Sequence, residues 1–166
     1  MNIDAFKHLP VLSIESGARL GLVDDLLFDT SPLRVAALRV KQADQQIVVP
    51  WSMVKTVGAD AIMVPDDAAA HTPSSEASLS ALRGSAELRA LKVVDEGGTF
   101  IGTVKAVEVD PASGVVTSIE AHTGGMLGMG GTTTPIAADE IRSIGDEVLL
   151  TTVRRPAAEH AATPQT

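Results

Sequence analysis

The chain has 166 residues, enough for one or two small domains, and 45% of them are hydrophobic, enough to bury a core. Only 2% are aromatic, so the core has to be built from Val, Leu, Ile and Ala, which suit a pleated sheet. A net charge of −8 argues against direct contact with nucleic acid or anionic lipid, and the absence of Cys excludes disulfides, thiolate nucleophiles and Cys-based zinc sites.

The first eight residues, Met1 to His8, hold no apolar run of the kind a signal peptide needs. No stretch approaches the ~20 apolar residues of a membrane span. The expectation is a cytoplasmic protein without membrane insertion. Leu20, Val23, Leu26 and Phe28 predict a strand that runs into a turn at Asp29-Thr30-Ser31-Pro32. Ala36, Leu38 and Val40 then alternate with Ala37, Arg39 and Lys41, which predicts a half-buried strand with the first set inward. Ile47-Val48-Val49 reads as a short buried strand stopped by Pro50, Ser52 to Val57 as a single helical turn, and Ala61 to Val64 as a closing strand. Residues 68–87 contain Ala68-Ala69-Ala70, Pro73-Ser74-Ser75 and Gly84-Ser85, and read as a linker with a short helix at Ser78 to Leu82. Asp110-Pro111-Ala112-Ser113-Gly114 carries the residues of a hairpin turn. From Pro156 the chain is rich in Ala, Thr and Pro, and a disordered tail is expected over 154–166.

An internal repeat organises these elements. Leu20-Gly21-Leu22-Val23 to Phe28-Asp29 is answered by Ile101-Gly102-Thr103-Val104 to Val109-Asp110. Val35 pairs with Val116 and Leu38 with Ile119, all at one offset of 81 residues. Val54-Lys55-Thr56-Val57-Gly58 is answered by Ile141-Arg142-Ser143-Ile144-Gly145, where the offset has grown to 87. The added residues fall in the glycine-rich stretch of the second copy, where a loop can take them up. The expected domains are residues 1–67 and 88–153. The expected fold is all-β: two small barrels in tandem, each with a short helical turn. Closure would leave no sheet edge exposed.

The same residues resemble the PRC-barrel family. The likeness rests on the Gly21 to Asp29 and Gly102 to Asp110 strands, and on Val49-Pro50-Trp51 running into Val54-x-x-Val57-Gly58-x-Asp60-x-Ile62. It also rests on the Gly-Gly-Met-Leu-Gly-Met-Gly loop at 124–130. The second copy departs from the pattern: Pro135 stands ahead of the expected place, at Ala137 or Ala138, and no Trp follows. The resemblance implies a barrel used for binding, as in the cytoplasmic domain of the reaction-centre H subunit and a bacterial ribosome-maturation factor. It implies no shared catalytic residues.

Chemistry-bearing residues add little to that. Asp24-Asp25 and Asp29 suggest a cation site, but neighbours on a strand face opposite sides unless a bulge intervenes. Asp29 and Asp110 recur ahead of turns and read as turn caps. Asp139-Glu140 and Asp146-Glu147 read as helix-start and turn residues. His8, His71, His122 and His160 lack metal-ligand spacing, and His122 alone lies beside the glycine loop. That loop has neither a P-loop Lys nor Gly-x-Gly-x-x-Gly after a strand. Its Met126, Leu127 and Met129 either tuck under the barrel or stand exposed for a partner. Trp51 is either a core plug or an interface anchor. The reading is a non-enzymatic protein-binding adaptor, with no catalytic, cofactor or metal site and Trp51, His122, Met126, Leu127 and Met129 as candidate partner-binding residues. The alternatives are a self-associating homodimer and an accessory factor in RNA or ribosome maturation that acts through a protein partner.

Overall fold

Runs of branched aliphatic residues become strands almost throughout, and they do so twice in one order. The computed structural model describes residues 1–70, 81–124 and 130–154. Two compact units are present: unit 1 is Met1–Glu87 with Glu108–Thr117, and unit 2 is Leu88–Val107 with Ser118–Thr166.

The first sheet contains β1 (Pro10–Ser13), β2 (Arg19–Thr30), β3 (Leu33–Gln42), β4 (Gln45–Pro50), β5 (Thr56–Val57), β6 (Ile62–Val64) and β7 (Arg83–Gly84). Its order is β4-β3-β2-β1-β6-β5, with β7 pairing β2 off that path. The second sheet contains β8 (Lys92–Asp95), β9 (Phe100–Val109), β10 (Val116–Gly124), β11 (Gly131–Ala137), β12 (Ile141–Ile144) and β13 (Val148–Thr151). Its order, β11-β10-β9-β8-β13-β12, repeats the first strand for strand. The odd parallel pairing repeats as well: β1 runs parallel to β6, and β8 parallel to β13. The all-β tandem is therefore as expected, but neither path joins its two end strands among the described residues. The sheets are open rather than hydrogen-bonded into closed barrels.

Bulges set which side chains face inward. The β2–β3 ladder shifts register between Val23 and Asp25 and again between Leu27 and Phe28. Each extra residue reverses the phase of the alternation. Val35, Leu38 and Val40 are buried, whereas Ala36 is only half-buried, which corrects the expected inward face at that one position. Ala37 is buried too, on a second apolar patch with Leu27 and Val48 that Leu82 covers. The opposite face of this sheet is thus not bare.

Two further segments depart from expectation. The helical turn foreseen at Ser52 to Val57 is a 3-10 turn at Trp51–Met53, and Thr56–Val57 pairs as β5. Of residues 68–87, the described part opens with the 3-10 turn Asp67–Ala69. It ends with β7, whose Gly84 and Arg83 pair with Leu27 and Phe28, and with helix α1 (Ser85–Arg89). Of the helix foreseen at Ser78 to Leu82, residues 78–80 lie outside the described residues, as does the tail from residue 155. No helix among the described residues is long and apolar enough to cross a membrane.

Candidate functional site

Gly21 is the residue around which one end of unit 1 is built. A Cβ placed there would lie 2.5 Å from the Lys41 carbonyl oxygen and 2.6 Å from a Val40 methyl, so β2 and β3 approach too closely for any side chain. Beyond this pinch the chain turns through Ala43, a non-glycine residue with φ 51°. His8, at φ 70°, closes the same end, and its N–H donates to the Val23 carbonyl at 2.8 Å. Between these elements lies a cleft of about 530 Å³, lined by His8, Arg19, Leu22, Asp24, Lys41 and Ala43 among others. His8, Arg19 and Lys41 are exposed, and no described residue hydrogen-bonds or ion-pairs with their side chains. None of these basic lining residues stood out in the sequence. The available signal was the 81-residue offset, which makes Lys41 the counterpart of His122.

Unit 2 repeats the pinch with other residues. A Cβ on Gly102 would lie 2.7 Å from the His122 carbonyl carbon and oxygen. His122 itself sits on β10 opposite Thr133 of β11, and its Nδ1 lies 3.1 Å from the Thr133 hydroxyl oxygen. The candidate His122 is therefore a strand residue at the end equivalent to the unit 1 cleft. Met126, Leu127 and Met129 lie outside the described residues.

Trp51 occupies the interior of unit 1. It is 7% exposed, and its ring meets Phe6 edge-on with centroids 6.3 Å apart. Gly114, at φ 78°, covers the indole: a Cβ there would lie 2.6 Å from Trp51 Nε1. The Gly114 carbonyl also accepts from the Val35 N–H at 2.8 Å. That placement is a core plug, not a rim anchor. The position equivalent to Trp51 in the second copy, by the 87-residue offset, is Ala138. It opens the 3-10 turn Ala138–Glu140, where the Glu140 carboxylate accepts from the Ala137 N–H at 2.9 Å.

The repeated strand order is matched by the comparisons with known proteins. Residues 1–71 and again 82–155 match the PRC-barrel domain. The chain belongs to the PRC-barrel family. An uncharacterised protein of Clostridium acetobutylicum is 28% identical over 74 residues, which span 40% of this chain and 85% of that protein. Such a length corresponds to one PRC module rather than to the pair.

The paired carboxylates of the first PRC module have a structural use. The bulge at Val23/Asp25 lets Asp24 and Asp25 reach one cation, and that cation is a side chain of the module itself. Arg39 Nε lies 3.4 Å from Asp24 Oδ2, and Arg39 NH2 3.1 Å from Asp25 Oδ2. Asp25 is buried and also accepts from the Ser85 N–H at 3.2 Å and from the Ser85 hydroxyl. It thereby ties the segment around α1 to the sheet. Asp29 and Asp110 are the turn caps their recurrence predicts. Asp29 accepts from the Ser31 N–H at 3.3 Å and Asp110 from the Ala112 N–H at 3.0 Å.

Proposed function

We propose that this PRC-barrel chain is a non-enzymatic adaptor of the cytoplasm, which uses the cleft of unit 1 to hold another protein. The observation that supports it is the cleft itself: about 530 Å³ of concave surface, framed by a backbone pinch and bordered by three side chains with no described internal partner. Groups left uncommitted around a preformed concavity are what a binding site offers. The chemistry is recognition, so neither cofactor nor metal enters it.

A photo-crosslinking amino acid tests this at Gln42, an exposed residue lining the cleft, with exposed Asp60 as the control position. In the native cells, the Gln42 probe is expected to give a discrete adduct with one protein, and the Asp60 probe to give none. Absence of any adduct at Gln42, or the same adducts at both positions, would rule out docking through the cleft.

A further inference from the structure

The cleft of unit 1 is cationic within a chain of net charge −8. His8, Arg19 and Lys41 come from three separate segments and converge on it. Asp24 is the one acidic lining residue, and its carboxylate is engaged elsewhere: it lies 3.4 Å from Arg39 Nε and accepts from Gln46 Nε2 at 3.2 Å. The uncommitted charge in the cleft is therefore positive. His8 and Ala43 also hold left-handed backbone, which side chains rarely adopt, at this one end of the unit. Strained residues that cluster on a concave site point to a geometry kept for recognition.

We propose that this cleft binds an acidic peptide segment of the partner protein, with Arg19, Lys41 and His8 each facing a carboxylate along the segment. The proposal rests on the docking role given above. A run of carboxylates fits better than a single phosphate. The volume is that of a site for a ligand with several groups, and its basic residues come from three separate segments of the chain. A phosphate site would instead gather backbone N–H groups in one nest. Leu20 and Leu22 supply the apolar wall against which the segment's chain can lie.

The test is the fluorescence anisotropy of a fluorescein-labelled hexaglutamate peptide titrated with the full chain, with labelled hexaglutamine as the neutral control. The hexaglutamate peptide should bind saturably and the hexaglutamine peptide should not. Binding should weaken roughly ten-fold in the double variant Arg19→Gln, Lys41→Gln, and fall as salt is raised. Lys55→Gln, which alters an exposed Lys outside the cleft, should leave it unchanged. Equal binding by the double variant and the wild type overturns the proposal, as does equal binding of both peptides. Saturable binding of inorganic phosphate with none of hexaglutamate marks a small-anion site and also overturns it. If the double variant keeps the Gln42 cross-link, the chain still docks a protein and only the acidic-segment proposal fails. If the wild type gives no cross-link, the docking role itself fails.

Discussion

At Asp25 the sequence shows a carboxylate next to another carboxylate, and the structure shows why both are kept. One extra residue in β2 turns two neighbours that would face apart toward a single guanidinium. Asp25 is buried, and its carboxylate is met by Arg39, Ser85 and the Leu26 N–H. Asp25→Ala takes the carboxylate from Arg39 NH2 and the Ser85 N–H and should cost about 3 kcal/mol in urea denaturation. A loss within experimental error of zero would show that water replaces the network. Asp110 is different in kind, because it lies in the open. The Ala112 N–H first, and then the Ser113 hydroxyl, hold its carboxyl below the ordinary value of 3.8. Its folded value is below its unfolded one, so what it adds to the turn is fully present above the ordinary value. That contribution is lost as pH falls through the lowered folded value. An NMR titration of its carboxyl carbon should give Asp110 a midpoint below 3.8, and an unshifted midpoint would contradict the capping role. The turn caps were legible in the sequence, since Asp29 and Asp110 recur in register. The Arg39 bridge was not, because a bulge leaves no mark in residue type.

Among the elements, the long strands were readable where aliphatic residues alternate, as in β3 and β9. β1 was not: in four residues it buries Val11 and a polar Ser13. Ser13 is satisfied locally, its hydroxyl accepting from the Ser16 N–H at 3.2 Å. The residue in the same place on the second sheet, Asp95 at the end of β8, is also buried and accepts from the Gly97 and Thr99 N–H groups at 2.9 Å. A buried polar residue that closes a turn hides a strand from any count of apolar positions. The turn carrying Gly114 also has a role that sequence does not reveal. Gly114→Val would drive a side chain into the Trp51 indole and strain a left-handed backbone position. That variant should lose roughly 1–3 kcal/mol of stability and shift the emission of Trp51, the single Trp in the chain, to longer wavelength. Unchanged emission would mean the indole is not covered by this turn. β11 is an end strand of the second sheet, seven residues long and mostly exposed, and Pro135 interrupts it. Proline on an edge strand deprives a second strand of a hydrogen-bond donor. Pro135→Val should therefore raise self-association, read as a concentration-dependent rise in mass by light scattering. No change would show that β11 is protected by something else.

For the whole molecule, duplication was the most legible feature, because the offset of 81 residues holds without a gap across the Gly21 and Gly102 strands. The matching strand orders show that it reaches the topology. The parallel pairs β1–β6 and β8–β13 could not be read, since their partners lie far apart in the chain and only the path between them brings them together. The candidate site was legible in half. The sequence pointed to the end of the second copy, at His122, while the cleft that Arg19 and Lys41 line lies at the equivalent end of the first. The copies share the glycine pinch and differ in what surrounds it. Lys41 becomes His122, Ala43 becomes Gly124, and Trp51 becomes Ala138. The cleft among the described residues lies at the first of these ends, and recognition is proposed there.

Backbone amide shifts of the full chain, recorded by NMR as hexaglutamate is added, test this most directly. Saturable shifts are expected, confined to His8, Arg19 to Asp24 and Lys41 to Ala43, with the equivalent residues around Gly102 and His122 unmoved. Shifts centred on Gly102, His122 and Thr133, or scattered over both units, would contradict it.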